Sequence, residues 1–432
     1  MRPAVRFCFT ALLLTGFGRL DAAQFTATPG QPLQPLLAQA AAGDELRLPA
    51  GRYSAPLRID VPLRLVGEPG AVIDAGGHGH AIEVSASDVE IRGLTIANWG
   101  RDLNALDSGI FVHRNAENVR IVDNHLRGAG FGIWLDRARG ARIVGNRIEG
   151  DPSIRSQDRG NGIQLYNASH TLVEDNHIWQ VRDAIYIDVS DHNVLRGNRM
   201  HDLRFGIHYM YSMDNRVEHN RTWATRTGYA LMQSKRLTVI GNQSENDQNY
   251  GFLMNNITHS VVRGNRVSHV RSGGNLESDA HIAGAEGKAV FIYNSQFNEF
   301  SGNLFAHSAI GIHLTAGSED NKVFGNAFVA NHTQVKYVAT REQEWSYQGR
   351  GNYWSDYLGW DLDGDGIGDT VYQPNDAVDR LLWRHPEAKI LMHSPAVQTL
   401  RWAQQQFPVF RPPGVKDSAP LMTAPAIGED AP

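Results

Sequence analysis

The chain has one cysteine, Cys8, and its position within the first ten residues leaves the remainder without a disulfide framework or a thiolate-bound metal. Basic runs are also absent: 41 Lys and Arg against 46 Asp and Glu give a net charge of −5, which argues against nucleic acid as a partner. Long apolar stretches are missing. The stretch from Phe7 to Phe17 is too short to span a bilayer. With Arg2 and Arg6 before it and Ala22-Ala23 after it, residues 1–23 read as a secretory leader. The exported chain is then expected to carry no transmembrane segment of its own. Helical periodicity is the last absence, since no repeat contains a stretch of 10 to 12 residues with helical spacing.

What fills the chain is a returning phrase, clearest from Asn193 to Tyr209 (NVLRGNRMHDLRFGIHY). Its closing asparagine recurs at Asn124, Asn146, Asn176, Asn198, Asn220, Asn242, Asn265, Asn303 and Asn326. The small residue that opens its second strand recurs at Gly109, Gly132, Gly162, Ala184, Gly206, Gly228, Gly251, Ala289 and Gly311. Most steps are 22 or 23 residues, a period that belongs to a repeat architecture. After each opening residue, positions +1 and +3 are almost all Ile, Val, Leu, Tyr, Phe or Met, as an inward strand face requires. Short strands coiling every 22 residues predict an all-β fold, a right-handed parallel β-helix whose turns stack about 4.8 Å apart. Inward asparagines at successive bends predict a ladder that pairs otherwise buried polar groups. The expected divisions are an N-terminal cap over 24–56, the β-helix over 57–335, its end over 336–375 and a partly helical tail over 376–432.

Outward positions carry the functional signal. Position +2 runs Phe111, Trp134, Gln164, Tyr186, His208, Ala230, Leu253, Phe291 and His313, and +4 includes His113, Asp136, Tyr166, Asp188, Met210, Met232 and Tyr293. A solvated face would carry Lys, Glu, Thr and Ser, so Phe111, His113, Trp134, Tyr166, Tyr186, Phe291, Tyr293 and His313 mark a face expected to be covered by a ligand, a loop or a partner. Insertions near 99–108, 150–160 and 271–287 all fall between the Asn bend and the next opening strand, so they line one edge of that face. Two chemistries compete for it. Thioether and imidazole at His208, Met210, Met213 and Met232, in a chain without useful thiols, suit transient Cu(I). Alternatively the aromatic rows suit a periplasmic polysaccharide-binding or sugar-modifying protein. Its carboxylates, Asp136 and Asp188, would lie two turns apart, roughly 9.6 Å by strand spacing, which is marginal for an inverting hydrolase.

Beyond Val335 the repeat stops. Asp361, Asp363, Asp365, the Ile367 carbonyl and Asp369 match positions 1, 3, 5, 7 and 9 of a calcium loop with Gly366 at the glycine position, although Tyr372 stands where the bidentate Glu belongs. A structural Ca²⁺ is expected there. Farther on, Leu381, Leu382, Trp383, Leu391, Leu400 and Phe407 supply apolar groups outside the repeat, and Ser394-Pro395 starts a helix. They are expected either to cap the open end of the coil or to dock on a partner.

The run from Gly351 to Tyr357 (GNYWSDY), followed by the Asp361–Asp369 loop after a leader and a 22-residue β-helix, resembles the NosD family, as does the Pro-rich ending from Ser394 to Met422. These are periplasmic accessory proteins that help mature the copper sites of nitrous-oxide reductase. The resemblance implies a non-enzymatic role. It also implies partnership with an ABC transporter (an ATPase plus a membrane subunit), a copper chaperone and the apo-reductase. It brings no catalytic residues.

Overall fold

A computed structural model describes residues 22–271, 274–275, 278–281, 287–315, 317–338, 341–385, 391, 394–406 and 413–427. The expected leader, with Cys8, lies almost wholly outside the described residues, as do Phe407 and the side chain of Leu382.

Among the described residues, three parallel sheets of 13, 12 and 13 strands run the length of the coil. Sheet I begins with Gln24–Thr26, Asp44–Leu48 and Leu63–Gly67. Sheet II runs from Leu57–Ile59 to Thr333–Val338, and sheet III from Gly51–Ser54 to Tyr353–Trp354. The molecule is therefore a parallel β-helix with about 23 residues per turn. Strands already pair within 24–54, so the coil starts inside the stretch expected as a cap. Helix α1 (Gln34–Leu37) tucks Leu33 and Leu37 against the open end.

Register follows the inward positions of sheet II. Ile133, Ile163, Ile185, Ile207, Tyr229, Phe252, Val290, Ile312 and Val335 pair in unbroken succession, and every one is buried. A strand has a side-chain period of two, so a slip of one residue would turn this whole column outward. Turns approach closely at the opening residue: a Cβ on Gly206 would stand 2.6 Å from the Gly228 carbonyl oxygen.

The asparagine ladder is present. Asn198 donates from its backbone N–H (3.0 Å) and its side-chain amide (2.9 Å) to Asn220 Oδ1, and the same amide donates to the Val173 carbonyl at 2.9 Å. The pattern continues from Asn124 through Asn326 to Asn352, one rung beyond the repeat. The residue before each rung from Asn124 to Asn326 is in the left-handed region, supplied by Gly145, Gly197 and Gly241 in some turns and by Asp123, Asp175 and His219 in others. Glycine and short polar side chains are the residues that tolerate that conformation.

Such a ladder donates in one direction, so its last rung needs an acceptor. Asp417 provides it: Oδ2 accepts from the Asn352 N–H (2.7 Å), the Asn352 amide (3.2 Å) and the Trp354 indole (2.8 Å). Phe328, Trp345, Trp354 and Tyr372 stack beneath it and close the core. Residues 415–421 thus belong to the end of the coil, where Val415–Lys416 pairs with Gln343–Glu344.

Candidate functional site

Sheet II brings the outward positions together in the order expected, Phe111–Trp134–Gln164–Tyr186–His208 at +2 and Asp136–Tyr166–Asp188–Met210–Met232 at +4. Their exposure is another matter. Phe111, Gln164, His208 and Ala230 are buried, and only Tyr166 and Tyr293 of the expected partner face are exposed. The cover comes from the chain itself. The residue just before the opening glycine folds its ring over a +2 side chain, of its own turn where Phe131 meets Trp134 edge-on at 4.7 Å and Phe205 meets His208 edge-on at 5.0 Å, and of the next turn where Tyr250 stacks on Phe291 at 5.5 Å. Aromatics before three opening glycines were visible in the sequence and signalled this layer. His113 is occupied as well, with Nε2 at 2.9 Å from Glu83.

Between turns a cleft of about 450 Å³ remains, lined by Phe111, Phe131, Trp134, Tyr166, Tyr186 and Asp188, with Leu106 from the first insertion at its side. Asp188 is pushed up from the ordinary carboxyl range by burial. Asp136, two registers away, lies 3.8 Å from both Arg114 and Arg137.

Next to the cleft sits a charge network that the repeat did not announce. Asp183, fully buried, receives Arg204 Nε at 2.8 Å and Nη2 at 2.5 Å, and its Oδ2 lies 3.1 Å from His208 Nδ1. Burial alone would raise this carboxyl, but the hydrogen bonds from His208 and Arg204 outweigh it and hold it below its usual range. The network spans 21 to 25 residues across a bend, so no local pattern in the sequence could reveal it. It fixes the His208 ring. Met210 pairs in register with Met232, both half-buried, two positions from His208 on the same face. Met213 lies in the following bend, its N–H donating to Asp191 at 2.6 Å. Register thus puts one imidazole and two thioethers, donors of the soft type, on adjacent strands of one face, with Asp188 in register beside Met210.

At the other end, carboxylate oxygens of Asp361, Asp363 and Asp365 come within 4.8 Å of one another. Asp369 turns away to accept from the Leu362 N–H at 2.7 Å, and Tyr372 donates to Asp356 at 2.8 Å. The loop is held by its own backbone: Gly364 and Gly366 N–H groups donate to Asp361 and lower its pKa. Contacts of Gly366 and Gly368 with Met422 and Pro420 tie it to the coil. Asp361, Asp363 and Asp365 are the carboxylates expected at positions 1, 3 and 5 of the calcium loop, and the structure brings them together.

The tail carries helices α2 (Ala377–Arg384) and α3 (Pro395–Gln406). Asp376 and Asp379 form a reciprocal cap on α2, and Ser394 Oγ accepts from Val397 N–H at the start of α3 (3.4 Å). Leu381, Leu391, Leu400 and Trp402 are exposed, whereas Trp383 is half-buried. No helix among the described residues is long and apolar enough to cross a membrane.

Comparison with known proteins adds independent findings. The family model described as "Periplasmic copper-binding protein (NosD)" matches residues 144–359. A Pseudomonas aeruginosa protein named "Probable ABC transporter binding protein NosD" is 54% identical over 417 residues, covering 96% of this chain and 95% of the relative. A Stutzerimonas stutzeri protein of the same name is 53% identical over 415 residues, covering 96% of this chain and 94% of the relative. Among solved structures, a Yersinia enterocolitica family 28 exopolygalacturonase superposes with a TM-score of 0.56 at 12% identity, covering 74% of this chain and 76% of its own. That likeness concerns the fold alone.

Proposed function

The chain belongs to the NosD family, and on that premise we propose that it is a periplasmic, non-enzymatic adaptor for assembling the copper sites of nitrous-oxide reductase. Its partners in this reading are an ABC transporter (ATPase plus membrane subunit), a copper chaperone and the apo-reductase. The observation that carries copper handling is the register that sets Met210 beside Met232 on the face that also carries His208, whose ring is oriented by Asp183. Copper is cargo here: soft ligands take Cu(I) and, without a thiolate, release it. Isothermal titration with Cu(I) tests the site, with loss of binding expected in Met210→Ala/Met232→Ala and equal binding counting against it. Transporter docking rests on the exposed side chains of α2 and α3. Deleting 395–406 is expected to abolish co-purification with the transporter, and surviving association would contradict the docking assignment.

The cleft favours one second reading, a saccharide ligand lying on Trp134, Tyr166 and Tyr186. Asp136 and Asp188 two turns apart, roughly 9.6 Å, set the outer limit for carboxylates of an inverting hydrolase. Binding on a carbohydrate array would support it, and a blank array together with unchanged reductase copper content in a deletion strain would defeat both readings separately.

A further inference from the structure

We propose that His177 and His201, on sheet III, form a second copper site that takes Cu(I) through two imidazole nitrogens between a pair of indoles. The metal is supplied by the copper reading above, but the residues are different ones. Strands His177–Trp179, Arg199–His201 and Arg221–Trp223 lie side by side, and their register stacks Trp179, His201 and Trp223 in one outward column. The His201 ring is parallel to Trp179 (6.0 Å, 4°) and to Trp223 (4.4 Å, 18°). His177 then presents Nε2 at 2.9 Å from His201 Nε2.

The protonation logic leaves those two atoms facing one another with a single demand between them. His201 Nδ1 is 2.6 Å from Asp202, which keeps the ring proton on Nδ1 and leaves the Nε2 lone pair free. Two imidazoles with converging Nε2 atoms are satisfied by one shared proton or by one cation. At bond lengths of about 2 Å, a linear two-coordinate ion needs the nitrogens about 4 Å apart, so the rings must part by about 1 Å. Both rings are half-buried on the outer side of the sheet, which permits that movement.

Coordination number selects the metal. Zinc takes four ligands. Among the described residues the only group of three or more convergent His, Cys, Asp or Glu side chains is Asp361, Asp363 and Asp365. Two imidazoles with no third ligand suit Cu(I), and flanking indole faces add attraction for a cation. Trp179 and Trp223 show that character already, holding Arg147 at 5.8 Å and Arg221 at 5.4 Å. Asp202 supplies the outer carboxylate that orients a ligating histidine. The same bend, Asp202–Arg204, connects His201 to the strand bearing His208 and Met210, and its Arg204 anchors Asp183. Copper held on sheet III is thereby one corner away from the sheet II donors.

The test is an anaerobic titration of the exported chain with Cu(I) delivered from a competing chelator, following bound copper and indole fluorescence together, with Zn²⁺ as the comparison ion. The expected result is copper-dependent quenching and two bound equivalents, with little response to Zn²⁺. His177→Gln/His201→Gln should lose the quenching and one equivalent, and Asp202→Asn should weaken that equivalent by about 10-fold. Met210→Leu/Met232→Leu should lose the other equivalent and keep the quenching. Unchanged quenching and stoichiometry in the histidine variant, with a wild-type thermal melt, would overturn this inference while leaving the sheet II site standing. Loss confined to the histidine variant would do the reverse, and a Zn²⁺ response equal to that of Cu(I) would remove the argument from coordination number.

Discussion

The regular turns from Asn124 to Asn326 and the closing segment from Tyr337 to Met422 handle the same problem, buried polar groups at a bend, in opposite ways. In the turns, repetition does it: each asparagine accepts from the one before and donates to the one after, so every rung is interchangeable. At the end there is no next turn. A single carboxylate, Asp417, brought back from 65 residues away, ends the series, and four aromatic rings seal the core. A repeat distributes stability among equivalent contacts, whereas a terminus concentrates it in contacts made once.

That contrast breaks most readily at Asp417. Asp417→Ala strands the Asn352 N–H and the Trp354 indole in a buried site, while the Asn352 amide keeps the Val323 and Trp345 carbonyls, and should cost about 4 kcal/mol by denaturant unfolding. Asp417→Asn, able to extend the ladder as another rung, should cost far less. A comparable loss in both variants would show that charge, not acceptor geometry, closes the coil.

Titration sharpens the comparison next. Burial pushes two carboxyls up to about 6, Asp417 at the terminus and Asp247 inside the turns, where Ser244, Thr222 and Thr225 donate to it. A carboxyl with a raised pKa holds its proton longer in the folded state than in the unfolded one. Its stabilising effect is therefore full below about pH 4 and is lost as pH rises through 6, worth about 3 kcal/mol for a two-unit shift. Asp247→Asn should flatten the melting temperature between pH 4 and pH 7 by that group's share and melt above the parent at pH 7.5. A steeper profile in the variant would reject the assignment.

A smaller loss is expected inside the ladder. Asn220→Ala leaves the Asn198 N–H and one of its two amide hydrogens without an acceptor and removes a donor from the Leu195 carbonyl, for about 2 kcal/mol, with hydrogen exchange quickening in the neighbouring turns only. Smallest of all, Leu400→Ala/Trp402→Ala on exposed α3 should change stability by less than about 0.5 kcal/mol. Co-purification with the transporter should nevertheless be lost.

The fold was legible because its information is local and repeated. Alternation names the inward residues, the period names their partners one turn away, and Asn at each bend names the ladder; Ile133, Ile207 and Ile312 indeed share one interior. The resemblance-bearing motif around Gly351–Trp354 turned out to be the coil's closure, with Asn352 as the last rung and Trp354 under Asp417. The outward face was legible in order but not in exposure, because Phe131, Phe205 and Tyr250 fold back over it. The Asp183–Arg204–His208 network and the His177–His201 pair are not spelled by the repeat, since each joins residues on neighbouring turns that are out of register with one another.

By itself, then, the sequence determined the strand period, the inward column and the rungs, because a side-chain period of two and a turn of constant length convert spacing directly into neighbourhood. Only the tertiary structure decided which rings shield which, which nitrogen faces which, and that Asp417 ends the ladder. Those outcomes depend on bend angles and on a return of the chain over a distance that no periodic pattern encodes.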